Sequence, residues 1–283
     1  MVHRQKSFGN EMPTLYIVPT PIGNLDEMTP RAIEVLKNVD VIACEDTRNS
    51  MKLLQYFDIH TRFVQYHNFN EQESSKGLLQ LLEQGKNVAV ISDAGYPLIS
   101  DPGQVIVNKA IALGYNVVPL SGCNAMLNAL VASGLITQPF TFIGFLPANQ
   151  KESVKTLNLY KHYPMTLIFY EAPHRIEKML ASVLEALGDR QVCVARELTK
   201  KHEEFIRGCC SEVLEEIKGA KGEMVVVVEG FNEELKPAID MGEITLLVEE
   251  AISQGLSKSD AIKAVAKQTG MSKNEIYNYI HQN

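Results

Sequence analysis

NVAVISDAGYPLISDPG, residues 87–103, decides the fold class. Its apolar run Val88-Ala89-Val90-Ile91 reads as a strand buried on both faces, as parallel sheets require. A polar stretch punctuated by Gly95 and Pro97 follows at once, and a helix is predicted from near Pro102. In open α/β sheets, ligands bind at the loops leaving the carboxyl ends of strands. This loop is therefore the first candidate for a site.

The same alternation extends on both sides. Strands are predicted at Leu15–Val18, Val39–Cys44, Phe63–Tyr66 and Asn116–Pro119, with helices over 29–37, 48–57, 71–84 and 103–113. Strands separated by helices imply crossover connections and a mostly parallel sheet. A further helix over 124–132, stopped by Gly134, leads into a second α/β unit. Its strands are predicted at Phe140–Phe145, Met165–Tyr170, Val192–Arg196, Glu204–Arg207 and Met224–Glu229, with helices after Gln150, Pro173 and Ser211. Several of these strands lie close together in sequence, so the second sheet is expected to be partly antiparallel.

Beyond Phe231–Pro237 the pattern is helical only, over 244–253, 257–268 and 272–281. Ser257 and Ser272 suit N-caps, and Thr269-Gly270-Met271 between two short helices resembles the turn of a helix-turn-helix. The division expected is a loose leader (1–12), two α/β domains (13–122 and 123–235) and a helical tail (236–283).

Composition narrows the function classes. The 283 residues are 45% hydrophobic and 22% charged, as in an ordinary globular protein of about two domains. Cys44, Cys123, Cys193, Cys209 and Cys210 are odd in number and lack CxxC spacing, which favours buried thiols in a reducing cytoplasm over disulfides or zinc. The leader has no apolar core and is no secretory signal. Residues 110–150 carry no charged side chain, yet Pro119, Gly122, Gly134 and Pro139 interrupt them. They do not make a spanning helix, and burial between domains or subunits is expected. The net charge of −7 argues against general nucleic-acid coating. Residues 256–283, however, carry +2 against −9 for the remainder.

Three other strand-exit loops carry candidate chemistry. Pro19-Thr20-Pro21-Ile22-Gly23 is stiffened by two prolines, with Gly23 open to close approach; it reads as a cleft wall or as a rigid crossover. Glu171 ends a strand where it can meet a ligand's hydroxyls or cationic centre, while His174 and Arg175 read as an anion contact or as a plain helix start. The run from Arg196 to Glu204 is either a solvated hairpin tip or a phosphate contact through Arg196, Lys200 or Lys201, with Glu197 orienting one of them. GxGxxG, GxxxxGK[ST], HExxH and GxSxG are all missing, and the seven histidines lack ligand spacing, so no metal site is expected.

Taken together, Pro19–Leu25, Cys44-Glu45-Asp46-Thr47-Arg48, Ser92–Gly103, Tyr170–Arg175 and Ala195–Lys200 resemble the tetrapyrrole methylase superfamily over residues 13–283. Within it they are similar to the branch that methylates small-subunit ribosomal RNA. The resemblance implies two α/β domains with S-adenosylmethionine in the cleft between them, a small helical appendage and usually a homodimer. It implies 2′-O-methylation of a decoding-region cytidine in 16S rRNA, on naked rRNA or on the small subunit. Methylation of a tetrapyrrole carbon is the alternative in the same fold, and a non-enzymatic helix-turn-helix protein the alternative of another class.

The family's Gly-Gly-Asp-Pro loop aligns with Ala94-Gly95-Tyr96-Pro97, so Tyr96 replaces the Asp and Asp93 is expected to take over the cofactor's ammonium. Ile99 follows in the same loop. Pro-Gly-x-Ser/Thr-Ala/Ser aligns with Ser121–Ala125, which puts the cofactor carboxylate at Asn124 and Ala125. Family adenosine contacts carry over to Glu171, Leu198 and Glu223, and Pro19 lines the first loop. For the chemistry, Lys200 or Arg196 is expected to stabilise the attacking oxygen with Glu197 or Glu171 nearby. Alignment of the two reactants supplies most of the acceleration, roughly 7–11 kcal/mol.

Overall fold

The computed structural model describes residues 4–7, 9, 11–66, 71–232, 241–269 and 273–282. They fall into two compact units, one ending at Gly230 and one starting at Phe231. The expected domain boundary at 235/236, the turn at Gly270 and Met271 and the Ser272 cap lie outside the described residues.

The first unit holds two five-stranded sheets. In the first, β1 (Thr14–Val18), β2 (Val41–Cys44), β3 (Phe63–Gln65), β4 (Val88–Ile91) and β5 (Asn116–Pro119) run in the order β3-β2-β4-β1-β5, every pair parallel. Successive side chains of a strand point to opposite faces, and both faces are covered. Val18, Ile42, Ala89 and Ile91 pack on the side of α1 (Pro30–Asn38) and α2 (Thr47–Tyr56). Leu15, Ile17, Ala43 and Val90 pack on the side of α3 (Glu71–Glu83) and α4 (Gln104–Ala112). Thr29 and Asp46 cap α1 and α2 by accepting the N–H groups of Ala32 and Arg48.

The second sheet comprises β6 (Phe140–Phe145), β7 (Thr166–Glu171), β8 (Gln191–Arg196), β9 (Glu204–Cys209) and β10 (Met224–Val228), in the order β6-β7-β10-β8-β9. Only β6 and β7 are parallel; the other pairs are antiparallel, as the short spacing predicts. Leu167, Phe169, Val192, Val194 and Val226 face a core shared with α6 (Gln150–Asn158), α7 (Ile176–Leu187) and α8 (Cys210–Glu216). Ile168, Cys193, Ala195, Val225 and Val227 face the other way, onto α5 (Ala125–Ala132). The five cysteines are free thiols, and all but Cys209 are buried.

Among the described residues, the second unit is three helices, α9 (Met241–Ser253), α10 (Lys258–Thr269) and α11 (Lys273–Gln282), around Ile244, Val248, Ala261, Val265 and Ile276. The Ser257 hydroxyl accepts the Asp260 N–H, the N-cap its sequence position predicts. Among the described residues, no helix is long and apolar enough to cross a membrane.

Candidate active site

Strands β1 and β4 are neighbours, and their exit loops are hydrogen-bonded to each other. Thr20 and Gly95 exchange two backbone hydrogen bonds of 2.9 and 3.0 Å, the Thr20 hydroxyl donates to the Ser92 carbonyl, and the Ser92 hydroxyl donates to the Gly95 carbonyl. A third loop joins them because the Tyr96 hydroxyl accepts the Gly122 N–H at 3.1 Å. Pro19 is buried against Gly122, where an added Cβ would lie 2.4 Å from the proline ring. Pro19 thus supports the loop that leads into α5.

These loops form one side of a cleft of about 440 Å³. Asp93, Ala94, Gly95, Tyr96 and Ile99 line it from the β4 loop, and Asn124 and Ala125 from the start of α5. Glu171 at the end of β7, Leu198 in the β8–β9 turn and Glu223 at the start of β10 line the opposite side. Apart from Pro19, every residue expected to contact cofactor lines this one cleft. Ile22 of the first strand-exit loop lines it too, as do Asp101, Phe145, Tyr170 and Val225, which the sequence did not single out as contacts. Tyr170 packs edge-on against Phe142 and Phe145, giving the cleft an aromatic flank.

Glu171 is the most deeply buried charge in the cleft, with its side chain 1% exposed. Its Oε1 accepts the Ala172 N–H at 2.8 Å and lies 3.2 Å from Arg175 Nε, while Oε2 is buried without a partner. Burial pushes its carboxyl up, against the opposing pull of Ala172 and Arg175. Arg175 also donates to the Leu146 carbonyl. It thus serves the buried carboxylate and the chain, and the tight turn it makes leaves Pro173 ahead of α7.

The charged stretch after β8 is an ordered turn. Glu197 and Thr199 adopt left-handed backbone (φ 52° and 68°), a strain of roughly 1–3 kcal/mol each that surrounding bonds must hold. The Glu197 N–H donates to the Glu223 carbonyl, the Thr199 N–H to Glu203, and the Lys200 N–H to the Glu197 carbonyl. Lys200 Nζ sits between Glu197 Oε1 at 3.0 Å and Glu223 Oε2 at 2.9 Å. Partial burial pulls its ammonium down, but the two carboxylates outweigh that and hold it above the ordinary lysine value. The bond from Lys200 holds Glu197 low. Arg196 is engaged elsewhere, paired with Glu204 and donating to the Lys221 carbonyl.

Asp101 stands apart electrostatically. Burial, with Glu45 and Asp93 nearby, pushes its carboxyl up to about 6.

A model of the tetrapyrrole (corrin/porphyrin) methylases matches residues 14–214. The chain is 47% identical over 289 positions to the ribosomal RNA small subunit methyltransferase I of Bacillus subtilis (strain 168), covering 99% of each chain. Two solved structures share its fold. Diphthine synthase superposes with a TM-score of 0.61 at 14% identity, covering 77% of this chain and 90% of that one. Uroporphyrin-III C-methyl transferase from Thermus thermophilus, complexed with S-adenyl homocysteine, gives 0.55 at 17% identity, covering 77% and 97%.

The Asp101 environment makes stability depend on pH. Its native carboxyl ionises at higher pH than in the unfolded chain, so the penalty is absent near pH 4 and complete above about pH 6. Asp101→Asn removes that penalty. Urea midpoints are expected to place the variant about 1 kcal/mol above the parent at pH 7.5, allowing for solvent screening, and level with it near pH 4.

Proposed function

The chain belongs to the tetrapyrrole (corrin/porphyrin) methylase family, and we propose that it methylates small-subunit ribosomal RNA, using S-adenosylmethionine on the ribose 2′-oxygen of a decoding-region cytidine in 16S rRNA. The observation that carries this reading is the extent of the likeness. The Bacillus relative named for ribosomal RNA matches 99% of the chain, terminal helices included, whereas the uroporphyrin-III methyl transferase structure covers 77%. The reading places the protein in the cytoplasm, with the ribosome.

The cleft suits this cofactor. The unpartnered Glu171 Oε2 needs a donor, which a ribose hydroxyl or an adenine amine provides. Ile22, Ile99, Leu198 and Val225 offer apolar surface to a purine. Asn124 caps α5 through the Leu127 N–H, leaving backbone donors at that helix start for a carboxylate, and Asp93 supplies a charge for an ammonium. When bound, the cofactor would supply an electrophilic methyl group on a sulfonium sulfur, which would keep the electron pair of the C–S bond.

What the chain itself contributes is position and charge. Lys200 is a pre-placed cation beside the cleft wall at Glu223, and its two carboxylate bonds leave a third N–H for the attacking oxygen. The hydroxyl proton is released to solvent. Because its neighbours keep Lys200 protonated, it acts as an electrostatic stabiliser. Arg196, spent on Glu204 and Lys221, is the weaker candidate for that role.

Helix α5 presents Leu127 and Val131 one turn apart on its exposed side, Val131 at 72% exposure, with Ile136 also exposed beyond it. Uncharged apolar surface of this kind supports a homodimer through this face. The helical tail, with Lys258 and Lys263 exposed on α10, is assigned to rRNA or ribosome docking.

Labelled cofactor should transfer methyl to small-subunit rRNA, as naked rRNA or assembled subunit, and not to uroporphyrinogen. At saturating RNA, Lys200→Ala is expected to lower kcat by about 10²-fold or more; an unchanged kcat rejects its role. Light scattering should find Val131→Asp at half the parent's mass. Lys258→Glu combined with Lys263→Glu should weaken RNA binding while calorimetry finds cofactor affinity unchanged; the reverse pattern rejects docking through the tail.

A further inference from the structure

A second cavity, of about 430 Å³, lies beside the cofactor cleft and is lined partly by α2. Its volume falls within the roughly 300–1,000 Å³ of small-molecule sites. Two features make it the neighbour of the first. Asp93 lines both. The loop after β1 divides them, with Ile22 on the cleft side and Pro21 and Gly23 on the other. Lys200 lies at the same partition, since a Cβ on Gly23 would come within 2.4 Å of its Cγ. The cation next to Glu223 in the cleft wall thus has its stem against a wall of the second cavity.

The α2 side is built for a nucleotide. Asn49, Lys52 and Tyr56 follow helical spacing on one face and all line the cavity. Asn49 Nδ2 donates to Asp93 Oδ2 at 3.1 Å, which fixes that carboxylate in the partition. Tyr56 is 60% exposed, and its ring is set edge-on against Phe57 with centroids 4.9 Å apart. It is a stacking surface held in place. Lys52 is exposed between them. Asn49 and Tyr56 are about 10 Å apart along the helix.

We propose that this cavity takes the RNA nucleotide that receives the methyl group. The base stacks on Tyr56, a phosphate meets Lys52, and Asp93 accepts a ribose hydroxyl at the partition, turning the attacking oxygen toward Lys200. The assignment rests on the RNA-methylating reading above. It adds to that reading a substrate subsite distinct from the cofactor cleft.

Steady-state methyl transfer to small-subunit rRNA tests it, with cofactor affinity measured by calorimetry on each full-length variant as a check on folding. Tyr56→Ala should raise KM for RNA about ten-fold with kcat within two-fold, and Tyr56→Phe, which keeps the stacking face, should restore the parent KM. Lys52→Ala should flatten the salt dependence of RNA binding by about one unit of slope. Cofactor affinity should stay within two-fold throughout. If the parent transfers methyl to rRNA but Tyr56→Ala leaves KM within two-fold, or Tyr56→Phe is as impaired as Tyr56→Ala, the subsite is wrong and the function stands. If the parent transfers no methyl to rRNA, the function itself falls, and the subsite with it.

Discussion

The paired backbone hydrogen bonds between Thr20 and Gly95 are the constraint on which the site rests. Parallel strands need no contact between their exit loops, and such loops are ordinarily the more variable part of a fold. Here two loops are joined as a miniature antiparallel bridge, reinforced by the Thr20 and Ser92 hydroxyls and tied by Tyr96 to Gly122. The bridge fixes the partition between two cavities. It also gives Tyr96 a structural partner, since its hydroxyl accepts the Gly122 N–H.

Charge in the cleft is arranged by partner rather than by number. Glu171 is buried with one oxygen satisfied and the other free, Asp101 is pressed by carboxylates on two sides, and Lys200 is held between two more. Burial pushes the Glu171 and Asp101 carboxyls up, whereas the bond from Lys200 holds Glu197 low. An environment of this kind suits a cationic ligand.

Much of the fold was legible because its signals are local. Unbroken apolar runs such as Val88–Ile91, caps such as Thr29 and Asn124, and glycine stops mark elements within a few residues of their observed ends. The strand-exit loops were legible for the same reason. Residues that depend on strand pairing were not. Glu223 reaches Lys200 because β10 pairs with β8, Met224 opposite Arg196, and no periodicity near either residue encodes that. Tyr170 and Val225 sit opposite each other on β7 and β10, so their joint presence in the cleft is a property of register. The burial of Asp101 beside Glu45 and Asp93 appears only once β2 and β4 are neighbours. The pairing of Arg175 with Glu171 was not legible either, because the need of Glu171 for a counter-charge follows from its burial.

The strand orders also set a schedule for synthesis. β1, the first strand made, sits between β4 and β5, so it cannot be enclosed until residue 119 has left the ribosome. β10, the last strand made, lies in the middle of the second sheet, between β7 and β8. Glu171, Lys200 and Glu223 therefore meet only when the final strand slots in, after residue 228. At about 5–20 residues per second, the nascent chain spends several seconds with its first sheet complete and no working site. The cleft comes into being in one step, with the closing of the second sheet.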